Sequence, residues 1–195
     1  KLFNLPVFQA NLVTEGGSLE VNGQGTLLTT YQCQIDENRN PGLKKEDFEK
    51  IFHDYLGVTK VLWLGENFNQ NKALNDDTDG HIDTIARFVA PGVVAIMEAH
   101  EPNDPNAEIL AAIDRDLQTM TDAKGRALKI VRIPSPGTVL NYDDEVMPAS
   151  YLNFYIANST VIVPTYGSQW DKDAVAAIAK CFPRRRTIGL PAKAI

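Results

Sequence analysis

One pattern of elements occurs three times along the chain, and this repetition constrains the fold more than any other feature of the sequence. In each copy, two short apolar strands joined by a turn are followed by an amphipathic helix and then by a third apolar strand. Equivalent turns are separated by roughly 65 to 70 residues, a spacing typical of repeat proteins. Each ββαβ unit alone leaves a face of its sheet uncovered, whereas units arranged around an axis cover one another. The sequence therefore predicts a radial arrangement of α/β units.

The predicted elements follow from hydrophobic periodicity and from turn signals such as Asn22-Gly23. Gly57 is predicted to end the first helix. Asn103 or Asn106 is predicted to cap the second helix, and Asp171 is predicted to cap the third. The predicted bounds are strands 18–21 and 25–28, helix 44–56 and strand 60–64; strands 83–89 and 93–97, helix 107–120 and strand 129–133; strands 152–156 and 160–164, helix 172–182 and strand 186–190. Because a closed ring requires more than three units, we expect a longer parent protein.

A polar block from Asn75 to Asp83 contains four carboxylates and one imidazole. The residues that follow favour a strand, in which side chains two positions apart share a face, so His81 and Asp83 are predicted to project together. Asp77 and Asp79 enter from the preceding loop. The arrangement suits two tasks: positioning an acid–base imidazole, and holding a cation between carboxylates.

Other interpretations of this block stay open from its spacing. It resembles the start of an EF-hand loop, but Ala86 occupies the twelfth position, where a bidentate Glu is required. His81 and Asp83 supply two possible zinc ligands, but the sequence has no second His or Cys cluster to complete a set. We therefore predict no metal and no cofactor. A solvated loop beside a structural histidine is the remaining interpretation.

Composition limits the partners and the compartment. The 195 residues carry a net charge of -6, which does not favour binding to nucleic acid and weakly favours a cationic small molecule. No apolar stretch approaches the roughly 18 residues that span a bilayer, so no membrane partner is predicted. Cys33 and Cys181 are too few for a disulfide framework and favour a reducing, cytoplasmic location. Both are predicted to be packing residues rather than nucleophiles.

Taken together, the motifs resemble the agmatine deiminase family of guanidine-modifying enzymes, which includes the bacterial-type peptidylarginine deiminases. The matching stretches lie in the family's order along nearly the whole chain. They are Glu15-Gly16-Gly17-Ser18, Gly25-Thr26-Leu27-Leu28-Thr29-Thr30, Asn38-Arg39-Asn40-Pro41-Gly42, Asp77-Thr78-Asp79-Gly80-His81-Ile82-Asp83, Asn103-Asp104-Pro105-Asn106, Asp122-Ala123-Lys124-Gly125-Arg126, Pro148-Ala149-Ser150-Tyr151-Leu152-Asn153-Phe154-Tyr155 and Val163-Pro164-Thr165-Tyr166-Gly167.

The resemblance implies a fold. The family forms a pentein-type, five-bladed α/β-propeller of ββαβ modules, of which this chain supplies about three. Residues 1–195 are then a single fragment of a catalytic domain, made of its central modules. Exposed blade edges in such a fragment favour pairing, so a homo-oligomer is a possible assembly.

The resemblance also implies a reaction, the hydrolysis of agmatine to N-carbamoylputrescine and ammonia through a covalent cysteine intermediate, a step toward putrescine and the polyamines. His81 matches the family's general acid–base, and Asp83 matches a carboxylate that binds the guanidinium. Asn153 matches a residue that supports the same site. From its position alone it could instead be a buried polar residue whose side chain is hydrogen-bonded within the core. A planar guanidinium offers paired N–H donors, which a carboxylate meets with both oxygens.

For the substrate channel, the resemblance implies a lining by Glu15 and Asp77, and Asp79 is assigned to substrate binding with them. Asp77 is the predicted partner of the free amine of agmatine. The family's nucleophile lies in a segment of the form Gly-Gly-Gly-x-x-His-Cys, which these 195 residues do not contain. We therefore expect the chain alone to be inactive. Two alternatives remain: a bacterial-type peptidylarginine deiminase, and a non-catalytic propeller fragment that serves as an interaction module.

Overall fold

A computed structural model of the protein describes residues 5–66 and 80–193. These residues form three three-stranded sheets with the same topology. In each sheet the first strand pairs antiparallel with the central strand, and the third strand, which follows a helix, pairs parallel with it. The predicted repetition of ββαβ units is therefore confirmed.

The described elements follow one another in this order: β1 (Glu20–Val21), β2 (Thr26–Thr30), α1 (Tyr31–Gln34), α2 (Lys45–Leu56), β3 (Lys60–Leu64), α3 (Ile82–Ile85), β4 (Ala86–Ala90), β5 (Val93–Glu98), α4 (Ala107–Thr119), β6 (Lys129–Pro134), β7 (Tyr155–Ile156), β8 (Thr160–Thr165), α5 (Asp171–Cys181) and β9 (Arg186–Pro191), with a 3-10 turn at Gly16–Ser18 before β1. The first unit ends with β3, the second runs from Gly80 to β6, and the third comprises the segment after β6 and the strands and helix from β7 to β9.

The long helices begin and end close to their predicted bounds. Helix α2 buries Phe48 and Phe52, four residues apart on one face, against its own sheet. It ends at Gly57, whose φ of 68° lies in the left-handed region and whose N–H donates to the carbonyl of His53 at 3.0 Å. That is the glycine stop the sequence predicts.

The apolar core is continuous between units. One cluster joins the second and third units and also takes in Leu28, Leu62 and Leu64 of the first. A smaller cluster fills the space between α2 and the first sheet. Each unit thus covers apolar surface of its neighbour, as the radial arrangement requires. No helix in the described parts of the chain is both long and apolar enough to cross a bilayer.

Three predicted strands are shorter than expected because their backbone is engaged elsewhere. The strand predicted at 18–21 begins only at Glu20, since the 3-10 turn includes Ser18 and Leu19 caps it. The strand predicted at 83–89 begins only at Ala86, since the preceding residues form the helical turn α3, closed by the Thr84 hydroxyl on the His81 carbonyl at 2.9 Å. The strand predicted at 152–156 is reduced to Tyr155–Ile156, because the carbonyls of Leu152 and Phe154 accept hydrogen bonds from Arg87. The placement of Asn153 on a strand was therefore wrong.

The predicted helix caps were also partly wrong. Asn106 occupies the N-cap position of α4, but its side chain makes no capping hydrogen bond. Asp171 is the first residue of α5 rather than its cap, and Trp170 precedes it. Its carboxylate instead accepts hydrogen bonds from the N–H groups of Tyr166 and Gly167 and from the Tyr151 hydroxyl. It therefore fixes the loop that enters the helix.

A single guanidinium connects all three units. Arg87 on β4 donates to the Glu20 carboxylate of the first unit at 2.8 Å and to the carbonyls of Leu152 and Phe154 at 3.0 and 3.1 Å. It also lies over the Phe154 ring, 4.8 Å from its centre. Burial raises the pKa of Glu20, while the charge of Arg87 acts in the opposite direction. The ionised form of the buried Glu20 carboxyl therefore depends on the positive charge of Arg87 beside it.

Replacing Arg87 by Met is expected to lower the free energy of unfolding by about 2–3 kcal/mol, because the Glu20 carboxylate keeps only the Phe88 N–H as a donor and two carbonyls lose the guanidinium. This value is below that for a fully buried pair, since the two side chains remain 16% and 12% exposed. Urea denaturation measures the change. The matched control is Arg132→Met, whose ion pair with Asp114 is exposed and should contribute about 1 kcal/mol or less. Equal effects of both substitutions would contradict the connecting role of Arg87.

Candidate active site

The centre of the candidate site is a hydrogen bond between Glu15 and His81. Glu15 precedes the 3-10 turn, in which the N–H and the hydroxyl of Ser18 both bond to the Glu15 carbonyl, at 3.0 and 2.7 Å. His81 follows Gly80, whose carbonyl accepts a hydrogen bond from the Thr30 hydroxyl at 2.7 Å. The first unit thus holds the backbone on both sides of the pair, and Nε2 of His81 meets Oε2 of Glu15.

Glu15 has a second cationic partner. Its other oxygen, Oε1, accepts a hydrogen bond from Arg39 Nε at 2.9 Å. The hydrogen bond from His81 and that from Arg39 together hold the pKa of the Glu15 carboxyl below its usual value. An ionised carboxylate only accepts hydrogen bonds, so the proton of this contact belongs to Nε2 of His81. The second ring nitrogen, Nδ1, is left to face the other side of the site.

Asp83 lies on that other side. A β-carbon built on Gly17 would be 2.5 Å from Nδ1 of His81 and 3.0 and 3.1 Å from the two carboxylate oxygens of Asp83. The imidazole edge and the carboxylate therefore converge on one backbone position that has no side chain. The prediction that His81 and Asp83 project together holds in this geometry. The predicted reason was wrong, because the two residues flank the start of a helical turn and not a strand.

The structure adds a residue that the sequence did not indicate. Cys33 lies on α1, directly after β2, and its sulfur, a carboxylate oxygen of Glu15 and a ring nitrogen of His81 all lie within 4.8 Å of one another. The predicted burial of Cys33 is correct, since only 2% of it is exposed. Its proximity to the site follows from topology: β1 and β2 are antiparallel, so the chain leaving β2 returns to the end where β1 begins.

The remaining predicted site residues are not in this cluster. Asn153 is exposed and lies at a cavity of about 450 Å³ in the third unit, whose lining includes neither His81 nor Asp83. The nearest described connection is indirect, through Ser150, which accepts a hydrogen bond from the Asn153 N–H and donates one to the Thr84 carbonyl on α3. Asp77 and Asp79 lie outside the described residues.

Comparison with known proteins identifies the family. The sequence profile of the Porphyromonas-type peptidyl-arginine deiminases matches residues 1–195. The chain belongs to this family. The predicted resemblance to the agmatine deiminases, which extends to the bacterial-type peptidylarginine deiminases, is thereby confirmed.

Three relatives that carry the name agmatine deiminase illustrate the similarity. The chain is 38% identical to a protein of Marinomonas sp. that is provisionally named agmatine deiminase, over 97% of this chain and 54% of that protein. It is 35% identical to the agmatine deiminase of Medicago truncatula, over 95% of this chain and 54% of the relative. The solved agmatine deiminase of Enterococcus faecalis superposes with a TM-score of 0.84 at 38% identity, covering 94% of this chain and 53% of that one.

The comparisons also establish the fold class and the extent of the match. The three ββαβ units belong to a pentein-type α/β-propeller, which confirms the predicted fold class. The chain spans about half the length of the curated relatives that it matches.

Proposed function

We propose that the protein is a guanidine deiminase that hydrolyses agmatine to N-carbamoylputrescine and ammonia. The observation that carries the proposal is the arrangement of Glu15, His81 and Asp83: an imidazole bonded to an ionised carboxylate on one edge, with a second carboxylate beside its other edge. The names of the relatives support agmatine as the substrate.

The proposed reaction begins with the guanidinium bound by Asp83. A planar guanidinium presents two N–H donors to two carboxylate oxygens, so Asp83 orients the central carbon. A cysteine thiolate from the family's glycine-rich segment, which is outside these 195 residues, adds to that carbon. Cleavage of a C–N bond then releases ammonia and leaves a thiouronium-type adduct on the sulfur. Water adds to this adduct, the C–S bond breaks, and the ureido product leaves with the thiolate restored.

His81 is assigned to the two proton transfers. In the first it protonates the departing nitrogen, and in the second it takes a proton from the attacking water. Nδ1 suits this role, because it lies on the Asp83 side of the ring, where the guanidinium would bind. Glu15 bonds to Nε2 and so holds the ring in one orientation. Asn153, Asp77 and Asp79 are proposed to support or bind the substrate, as the family resemblance implies.

Assaying the full-length gene product with agmatine tests the substrate. Coupled detection of ammonia and mass spectrometry of the product should show one ureido group formed per ammonia released. An arginine-containing peptide, assayed in parallel, should remain unmodified. Conversion of the peptide alone would replace agmatine by peptidylarginine, the alternative that the family's description names. Conversion of neither would overturn the deiminase assignment and favour a non-catalytic interaction module.

We also propose a partner, a cellular location and an assembly for the protein. The partner is a small cationic guanidinium compound rather than nucleic acid or a membrane, in keeping with a net charge of -6. With only two cysteines in 195 residues, we place the protein in the cytoplasm. Exposed apolar side chains of the third unit, among them Tyr142 and Tyr155, support self-association into a homo-oligomer.

A further inference from the structure

Glu15, Cys33 and His81 bring three different metal-binding atom types to one place. A carboxylate oxygen, a thiol sulfur and an imidazole nitrogen all lie within 4.8 Å of one another. In a tetrahedral zinc site, bond lengths of about 2.0–2.3 Å place the ligand atoms roughly 3.3–3.6 Å apart. Zinc would therefore replace the proton shared between Glu15 and His81, whose atoms would move apart, and the Cys33 sulfur would approach them by up to about 1 Å.

The backbone that carries these side chains is fixed by buried polar contacts. Gln34, next to Cys33, is fully buried, and its amide donates to the Ser18 hydroxyl at 2.9 Å and to the Thr29 hydroxyl at 3.1 Å. These bonds tie the turn after Glu15 to the helical turn that carries Cys33. The cluster is thus held at its base in the first unit, and His81 completes it from the second.

We propose that Glu15, Cys33 and His81 form an inhibitory binding site for zinc(II). The mixed sulfur, nitrogen and oxygen donor set suits zinc and excludes the hard cations magnesium and calcium, which take oxygen ligands. Three protein ligands leave a fourth position for water. Cys33 is buried, so the metal enters from the side of Glu15 and His81, whose side chains are 36% and 19% exposed.

The bound metal would oppose catalysis rather than assist it. It would occupy the Glu15 oxygen and the ring nitrogen of His81 that faces it, and a metal-bound imidazole no longer alternates between neutral and cationic forms, so Nδ1 could not both donate and accept a proton. This site is therefore distinct from a catalytic cofactor site, for which the sequence predicts no metal. Since the Cys33 thiol must lose its proton to bind zinc, affinity should rise with pH. The proposal goes beyond the deiminase function, and zinc binding does not depend on it.

Metal binding by the 195-residue chain tests the proposal without any substrate. Zinc is titrated in competition with a chromophoric chelator, and cobalt(II) is titrated separately while the near-ultraviolet thiolate-to-cobalt absorption is followed. We expect one metal per chain. Cys33→Ser should weaken zinc binding at least tenfold and remove the charge-transfer absorption. Cys181→Ser is the matched control, because the only other cysteine lies on α5 in the third unit, and it should change neither.

Two further variants keep the proposal falsifiable if Cys33→Ser fails to fold. Glu15→Gln and His81→Gln alter partly exposed side chains, and each should weaken zinc binding while retaining the thiolate absorption of cobalt. Unchanged zinc affinity in these variants would overturn the proposal, as would loss of binding in Cys181→Ser. In the full-length protein, zinc should abolish ammonia release and a chelator should restore it. A protein that lacks deiminase activity but shows these binding results would refute the function and not the site.

Discussion

Replacing His81 by glutamine is expected to lower kcat for agmatine by about 10²- to 10⁴-fold, the range that a positioned general acid–base supplies. Glutamine retains an N–H donor for the Glu15 carboxylate, so the contact between the first and second units is preserved. What it removes is a ring nitrogen that can both accept and donate a proton. Steady-state kinetics of the full-length protein, with circular dichroism to confirm folding, measure the effect.

The chain offers a matched control for this substitution in His53. That residue lies on the exposed side of α2, where its Nδ1 contacts Asp54 at 3.1 Å, and it belongs to no part of the candidate site. His53→Gln should leave kcat and KM unchanged. Near-normal turnover in His81→Gln would show that another group moves the protons, and the assignment of His81 would then be wrong. A retained pH profile with low kcat would point to a positioning role instead.

The parts of this fold that the sequence predicts are those set by local chemistry. The stop of α2 at Gly57 needs only a residue that tolerates a positive φ, and the apolar face of that helix is visible in the spacing of Phe48 and Phe52. The repetition of ββαβ units follows from the same patterns, since each unit carries its own turn, helix and strand signals. Such features can be predicted because residues near in sequence decide them.

The features that the sequence misses depend on residues far apart. The shortening of β7 results from Arg87, which lies more than sixty positions earlier and takes two carbonyls that would otherwise pair in the sheet. The helical turn α3 buries Ile82 and Ile85, which share a face of a helix and would lie on opposite faces of a strand, but a segment of four residues is too short for this spacing to decide. Cys33 joins the site only because β1 and β2 pair antiparallel. No local pattern around Tyr31-Gln32-Cys33 marks it as a neighbour of His81.

Part of the site came from the family resemblance and not from local patterns. Glu15, His81 and Asp83 were identified in this way, and the structure places Glu15 on one edge of the His81 ring and Asp83, beside Gly17, near the other, while their roles stay predictions. The resemblance carried information about distant contacts that spacing alone does not contain. For Gly17 the sequence indicates a matching stretch and a tight backbone approach after Glu15 but no role in the site, yet it is the residue on which the imidazole and the carboxylate converge.

Replacing Gly17 by alanine is therefore expected to lower kcat by about 100-fold, the effect of a displacement of about 1 Å in a catalytic group. The new methyl group would lie 2.5 Å from Nδ1 of His81, too close for any contact between a carbon and a nitrogen, and 3.0 Å from Asp83. The ring cannot simply turn away, because its Nε2 is bonded to Glu15. Gly17 has no positive φ, so the effect comes from this contact and not from backbone strain. Kinetics with agmatine and urea denaturation of the same preparation separate activity from folding.

The neighbouring glycine provides the control. A β-carbon on Gly16 would meet no atom within 4 Å, and the two glycines share the same 3-10 turn. Gly16→Ala should therefore leave kcat nearly unchanged, whereas any general intolerance of the turn to side chains would reduce both variants alike. If Gly17→Ala alone loses turnover while its free energy of unfolding falls by no more than about 1–3 kcal/mol, the loss comes from the displaced imidazole and carboxylate. The close approach of this backbone position then has a catalytic reason: it lets the acid–base group and the guanidinium-binding carboxylate lie side by side.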